Sequence, residues 1–100
     1  MPDTYHIRIT PRALADLEGI FTYIRTHSPD NAAKVIEGLI TAIDSLDIFP
    51  HRYRVPRVGF VRGELIRSMP VPPFLVRYRI DERRKAVHIL RVRHGARRRP

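Results

Sequence analysis

PFLVRYRIDERRKAVHILRVRHGARRR, residues 73–99, reads as two strands joined by a charged turn. Phe74, Val76, Tyr78 and Ile80 alternate with Leu75, Arg77, Arg79 and Asp81, the period-2 pattern of a half-buried strand. After the turn Glu82-Arg83-Arg84-Lys85, Leu90 and Val92 alternate with Ile89, Arg91 and Arg93. With the apolar sets turned to a core, Arg77, Arg79, Arg91 and Arg93 crowd the opposite face. Like charges directly across a ladder are destabilising, so such a face suggests an anionic partner. The rest of the chain is read as the support for this hairpin.

Outward from the hairpin, the preceding residues supply that support. Glu64–Val71 is a further extended stretch, and Pro70, Pro72 and Pro73 predict that it ends or lies at a sheet edge. His51–Gly63, with its proline, two glycines and four arginines, reads as a loop. Before it, Ser28-Pro29 opens a helix whose stripe runs through Ala32, Val35, Ile36, Leu39, Ile40, Ile43 and Leu46 to about Asp47. Thr10-Pro11 opens another, with Leu14, Leu17, Ile20, Phe21 and Ile24 on one stripe as far as Thr26. Gly19 within it suggests a close helix–helix approach. Tyr5–Ile9 is a short first strand. A short link makes the helices an antiparallel hairpin, and their apolar stripes need a sheet to cover them. The expected order is β-α-α-β-β-β, an α+β fold with a helical hairpin on a small, mostly antiparallel sheet. One domain spans residues 1–100, with residues 96–100 expected as a frayed basic tail.

The formal net charge of +9 is unevenly spread. Residues 1–48 hold four Lys/Arg against seven Asp/Glu, and residues 49–100 hold fifteen against three. Seventeen of the nineteen cations are Arg, whose planar fork fits phosphate and carboxylate better than a point charge does. This asymmetry points to a binding face for nucleic acid or an acidic protein segment. The absence of cysteine excludes thiol chemistry and a disulfide framework. No apolar run approaches a membrane span and no secretory h-region opens the chain, so the expected location is the cytoplasm.

Little in the sequence carries established catalytic chemistry. His6, His27, His51, His88 and His94 are scattered, and His88 and His94 stand roughly 20 Å apart along a strand. No metal site and no cofactor are expected. Gly-rich phosphate loops and nucleophile elbows are absent from the sequence. What remains is RNA chemistry or plain binding: cleavage by 2′-OH attack needs a base, an acid and cations for the developing charge. His94, Tyr78 and the arginines are the groups available, although the parity of Tyr78 places it in the core.

The run IRSMPVPPFLVRYRID (66–81) followed by VHILRVRHGARR (87–98) resembles the C-terminal half of the RelE/ParE family of type II toxins. The first half agrees, with Ala15-Asp16-Leu17-Glu18-Gly19-Ile20, Tyr23-Ile24 and Leu46-Asp47-Ile48-Phe49-Pro50 in the family's order. The resemblance covers residues 5–97 and implies one of two activities. ParE-like members bind and block DNA gyrase, whereas RelE-like members cleave mRNA in the ribosomal A site without metal. The ending Ile89-Leu90-Arg91-Val92 with His94-Gly95-Ala96-Arg97 is closer to the ParE-like branch. No Tyr follows Tyr78, so the aromatic that stacks on an RNA base is missing. Pro72-Pro73 and Arg97-Arg98-Arg99 depart from the usual ending.

The resemblance therefore implies a non-catalytic gyrase inhibitor, with a ribosome-dependent mRNA endonuclease using Arg67, Arg91, Arg93 and His94 as the alternative. Arg67, Arg77, Arg79, Arg91, Arg93, His94 and Arg97 are the expected residues for binding target or antitoxin. The implied partner is a small cognate antitoxin, in a hetero-oligomer. Its acidic tail would relieve the basic half, and its amphipathic helix would dock in an apolar groove between helical hairpin and sheet edge.

Overall fold

A computed structural model describes residues 3–55, 60–61 and 63–95. At its centre are the two long strands expected from the sequence, β5 (Phe74–Asp81) and β6 (Ala86–His94), paired antiparallel. β4 (Arg67–Val71) flanks β5 antiparallel, and β1 (His6–Ile9) flanks β6 in parallel, giving the order β1-β6-β5-β4. The sheet is thus mixed, with the parallel pairing at its first strand. β4 is the edge that its prolines predict. Pro70 has no N–H to offer a further strand, and the Ser68 N–H donates to the Arg54 carbonyl at 3.5 Å, which blunts that edge.

The helices α1 (Pro11–His27) and α2 (Pro29–Asp44) cover one face. Thr10 caps α1, its hydroxyl oxygen accepting from the Ala13 N–H at 3.2 Å. The same hydroxyl donates to the Ile89 carbonyl at 2.8 Å, so the cap also fastens the helix start to β6. Between helices and sheet lie Leu17, Leu39, Ile43, Leu46, Met69, Val76, Tyr78, Val87, Ile89 and Val92, all buried. Each such side chain contributes roughly 1.5–3 kcal/mol by leaving water.

Five sequence expectations are corrected. The stretch Glu64–Val71 is two strands: β3 (Glu64–Leu65) pairs with β2 (Phe60–Val61) in a separate ribbon, and only Arg67–Val71 joins the main sheet. The expected loop His51–Gly63 accordingly contains a strand. The second helix ends at Asp44 and tightens into a 3₁₀ turn over Ser45–Asp47. In β6 the register slips: Arg77 faces Arg91 but Tyr78 faces Ile89, so Leu90 is an inserted bulge residue. Ile89 is therefore fully buried and Leu90 lies outside the core cluster, the reverse of strict alternation. Finally, a Cβ on Gly19 would meet nothing within 4 Å, so this glycine does not serve helix–helix approach. The expected frayed tail, residues 96–100, lies outside the described residues.

The far end of the hairpin is tied to the rest of the chain by polar contacts. Glu82 in the β5–β6 turn accepts from the Tyr5 hydroxyl at 3.0 Å and Lys85 at 3.2 Å, and it pairs with His51. Lys85 reaches on to Asp3 at 3.1 Å. The charged groups and His51 are about half exposed, so their pairing fixes positions more than it adds stability.

Tyr78 is 0% exposed, and its hydroxyl donates to the Pro50 carbonyl, joining β5 to the turn after α2. Burial pushes its phenol up to about 12, against the lowering influence of Arg67 and Arg52, so it stays neutral at physiological pH. Tyr78→Phe should cost about 1–2 kcal/mol, because the Pro50 carbonyl loses its donor in a dry site. Chemical denaturation of both proteins measures this, and an unchanged midpoint would show that the bond contributes nothing.

Candidate functional site: an apolar groove with a cationic mouth

Three surfaces in this fold can carry function. The first is a groove of about 620 Å³ between the helical hairpin and the end of the β5–β6 hairpin. Gly19, Ile20, Tyr23 and Ile24 of α1 form one wall, Val35 of α2 extends it, and Phe74 and Val92 close the sheet side. The bare Gly19 widens it, which is what its missing side chain provides here. Tyr23 is 65% exposed, a large aromatic left at the rim, tilted against the His27 ring at 4.2 Å. At the mouth stand Arg93 and His94, with the His94 ring edge-on to Phe74 at 5.7 Å. Gly95 makes this corner possible: its N–H donates to the Pro73 carbonyl at 2.7 Å, and a Cβ there would meet the Leu75 side chain at 2.8 Å.

The second surface is the helix-free face of the sheet. By register it carries Arg77 opposite Arg91, Arg79 opposite His88 and Arg93 opposite Leu75. The expected crowding of arginines is present but partly neutralised. Arg91 turns off the face to Asp16 of α1, donating through Nε at 2.9 Å and through a terminal nitrogen at 3.2 Å. Arg79 pairs with Glu64 at 3.1 Å. Arg77 and Arg93 are exposed and have no ion-pair partner among the described residues. Asp16 also accepts the Val92 N–H at 2.8 Å, beyond the point where β1 has stopped covering that edge of β6. Burial tends to raise the Asp16 pKa, but the hydrogen bonds from Arg91 and Val92 outweigh it and hold the carboxyl below its ordinary value. Nothing in the helical periodicity revealed this role: Asp16 lies off the apolar stripe, and its partner is 75 residues away.

The third surface is a cavity of about 720 Å³ at the opposite end, lined by His51, Glu64, Arg67, Arg79 and the β5–β6 turn. Arg67 donates to the Tyr53 carbonyl at 2.7 Å and the His51 carbonyl at 3.3 Å, which ties down the turn after α2. Its ladder partner is Tyr78, whereas the ladder partner of His94 is Phe74. Four residues along a strand and two strand spacings across place Arg67 and His94 roughly 16 Å apart. The structure thus sets Arg93 and His94, neighbours in the chain, at the mouth of the groove, sends Arg91 to Asp16 and holds Arg67 at the other end. Arg97 lies outside the described residues.

Residues 7–99 match the family described as ParE toxin of type II toxin–antitoxin system, parDE. The chain belongs to the ParE toxin family. It is 41% identical over 88 residues to the toxin RelE2 of Caulobacter vibrioides, covering 88% of this chain and 92% of that one. The fold is that of a chain in the chromosomal ParDE toxin–antitoxin system of P. aeruginosa, with TM-score 0.74, 22% identity, and 91% and 96% of the two chains covered. A chain of the toxin–antitoxin complex RelBE2 of Mycobacterium tuberculosis is similar at TM-score 0.62 and 31% identity, covering 95% of each. This ParE/RelE-family chain is therefore a toxin of a type II system, and its helical hairpin on a small sheet is the fold those relatives share.

Proposed function

We propose that this toxin blocks DNA gyrase by binding rather than by catalysis, and that a small cognate antitoxin neutralises it. The observation that carries the binding reading is the dispersal of the candidate nuclease groups. Arg67 is engaged by two carbonyls far from His94, and Arg91 is engaged by Asp16. General acid–base cleavage needs its groups around one phosphate. In a purified assay, ATP-dependent supercoiling by gyrase should be lost at toxin excess; undiminished supercoiling overturns the proposal.

The mRNA endonuclease remains a second reading because Arg93 and His94 share one corner and a 41% identical relative is named RelE2. That reading requires A-site cleavage that disappears in His94→Ala, and its persistence in that variant removes His94 from any catalytic role.

For the antitoxin we infer an amphipathic helix in the groove, with acidic residues meeting Arg93 and His94 at its mouth. Apolar anchors at i, i+3 and i+7 suit a groove walled by the helical hairpin and the sheet end. Gly19→Leu separates this from effects on folding. A helical leucine replaces glycine with a gain of about 0.5–1 kcal/mol in stability, while its side chain fills the groove. Antitoxin affinity should fall at least ~10-fold in this variant, and by about 30-fold in Tyr23→Ala if the exposed ring is an anchor. Titration calorimetry with the antitoxin C-terminal segment checks both, and full affinity in both variants places the antitoxin elsewhere.

A further inference from the structure

Arg8 of β1, His88 of β6 and Arg79 of β5 face one another in a single row across three strands. The neighbouring row, Ile7, Val87 and Ile80, packs into the core, so the Arg8–His88–Arg79 row points to the helix-free side. At about 4.8 Å between strands the row spans roughly 10 Å from Arg8 to Arg79. The three residues offer hydrogen-bond donors, with two guanidiniums flanking an imidazole. The two guanidiniums are not direct cross-strand neighbours, because the imidazole stands between them.

The imidazole carries the second observation. Its Nε2 is covered from water and has no hydrogen-bond partner among the described residues, although a polar atom left so costs about 1–3 kcal/mol. Burial first, then the charge of Arg79, hold the His88 pKa below its ordinary value; Arg8 and Arg84 act the same way and Asp81 opposes them. The ring is therefore neutral at physiological pH, and with its proton on Nε2 it is a donor awaiting an acceptor. Arg79 uses its Nε for Glu64, which leaves its terminal nitrogens without a partner among the described residues. Arg8 is exposed.

We propose that Arg8, His88 and Arg79 form a receptor for a tetrahedral phosphate on the helix-free sheet face. Two guanidinium forks and a ring N–H in one row supply the donors that a tetrahedral anion needs, and bidentate Arg recognition suits its oxygens. By strand parity the described residues place no Phe, Tyr or Trp on this face, so a nucleic acid would be held here by its backbone and not by stacked bases. Arg77 lies two residues along β5, about 6.6 Å away, and Arg93 lies in the row beyond it, so a second and third phosphate of a polymer also find cations. The ligand is thus either free phosphate or a phosphodiester of nucleic acid.

The experiment follows the His88 ring by NMR in the full chain, at constant ionic strength, with inorganic phosphate, chloride or a short mixed-sequence single-stranded DNA. Phosphate or the oligonucleotide should raise the His88 titration midpoint where chloride does not. Binding should tighten as pH falls from about 8 to about 5 and the ring takes up its second proton. A response to inorganic phosphate as well as to DNA assigns the row to the phosphate group itself. A response to DNA alone assigns it to a backbone held at several points. Arg8→Gln, on an exposed edge strand, and His88→Gln, which keeps a donor but cannot be charged, should each weaken DNA binding about 10-fold, with the salt dependence reduced by about one unit in Arg8→Gln. An unchanged His88 midpoint with both phosphate and DNA overturns the proposal. So does DNA binding that both variants retain in full, or a response to an oligoglutamate peptide alone.

Discussion

Ile89→Ala is expected to cost about 3 kcal/mol of stability, whereas Leu90→Ala, one residue along the same strand, costs less than about 1 kcal/mol. Ile89 is 0% exposed and belongs to the same core cluster as Leu17, Ile43, Val76, Tyr78 and Val87, so truncation removes its transfer energy and leaves a cavity. Leu90 is the inserted residue of the bulge, only half-buried and outside the core cluster. In a 100-residue domain, about 3 kcal/mol corresponds to a melting temperature lower by roughly 12–24 °C. Thermal unfolding of the two variants measures the difference. Equal losses, or a larger loss at Leu90, would mean that β6 continues its alternation without the bulge.

The second large effect is at Asp16. Asp16→Ala should cost about 3 kcal/mol, because it removes one carboxylate that answers three donors, two on Arg91 and the Val92 N–H. The Asp16 and Arg91 side chains are 17% and 28% exposed, so solvent screens the pair only in part. Arg91→Met should cost less than Asp16→Ala, since the carboxylate then still accepts from Val92, and a double-mutant cycle gives the coupling of the pair. The pH dependence has a definite sign. The folded carboxyl has its pKa below the unfolded value of about 4, so its contribution is complete above that value and is lost as pH falls through the folded pKa. The gap between wild type and Asp16→Asn should therefore be constant at neutral pH and close below about pH 4. A gap that widens on acidification would contradict this assignment.

Both residues show where local sequence ends as a guide. Alternation located β5 and β6 and placed Val76, Tyr78 and Val92 in the core, because a strand with one buried face must repeat every second residue. The same rule exchanged Ile89 and Leu90, since one inserted residue inverts the parity of everything on one side of it. Proline marked the helix starts at Pro11 and Pro29 and the edge strand at Pro70, because its ring restricts the backbone wherever it stands. Gly19 pointed to close packing within the hairpin, but the side it leaves bare faces the groove. Which face of α1 meets the sheet end is a property of the assembled layers.

By itself the sequence determined the element order, the helical hairpin, the excess of arginine in the second half and the family of toxins to which that order corresponds. Those features follow from residue spacing, backbone restriction and charge, all of which act over a few neighbouring positions. Only the tertiary structure decided which arginines remain free. Arg91 meets Asp16 and Arg67 meets the Tyr53 and His51 carbonyls, while Arg8, His88 and Arg79 line up across three strands. Each of these outcomes depends on contacts between distant segments, and a charge in a sequence carries no record of the partner that the fold will bring to it.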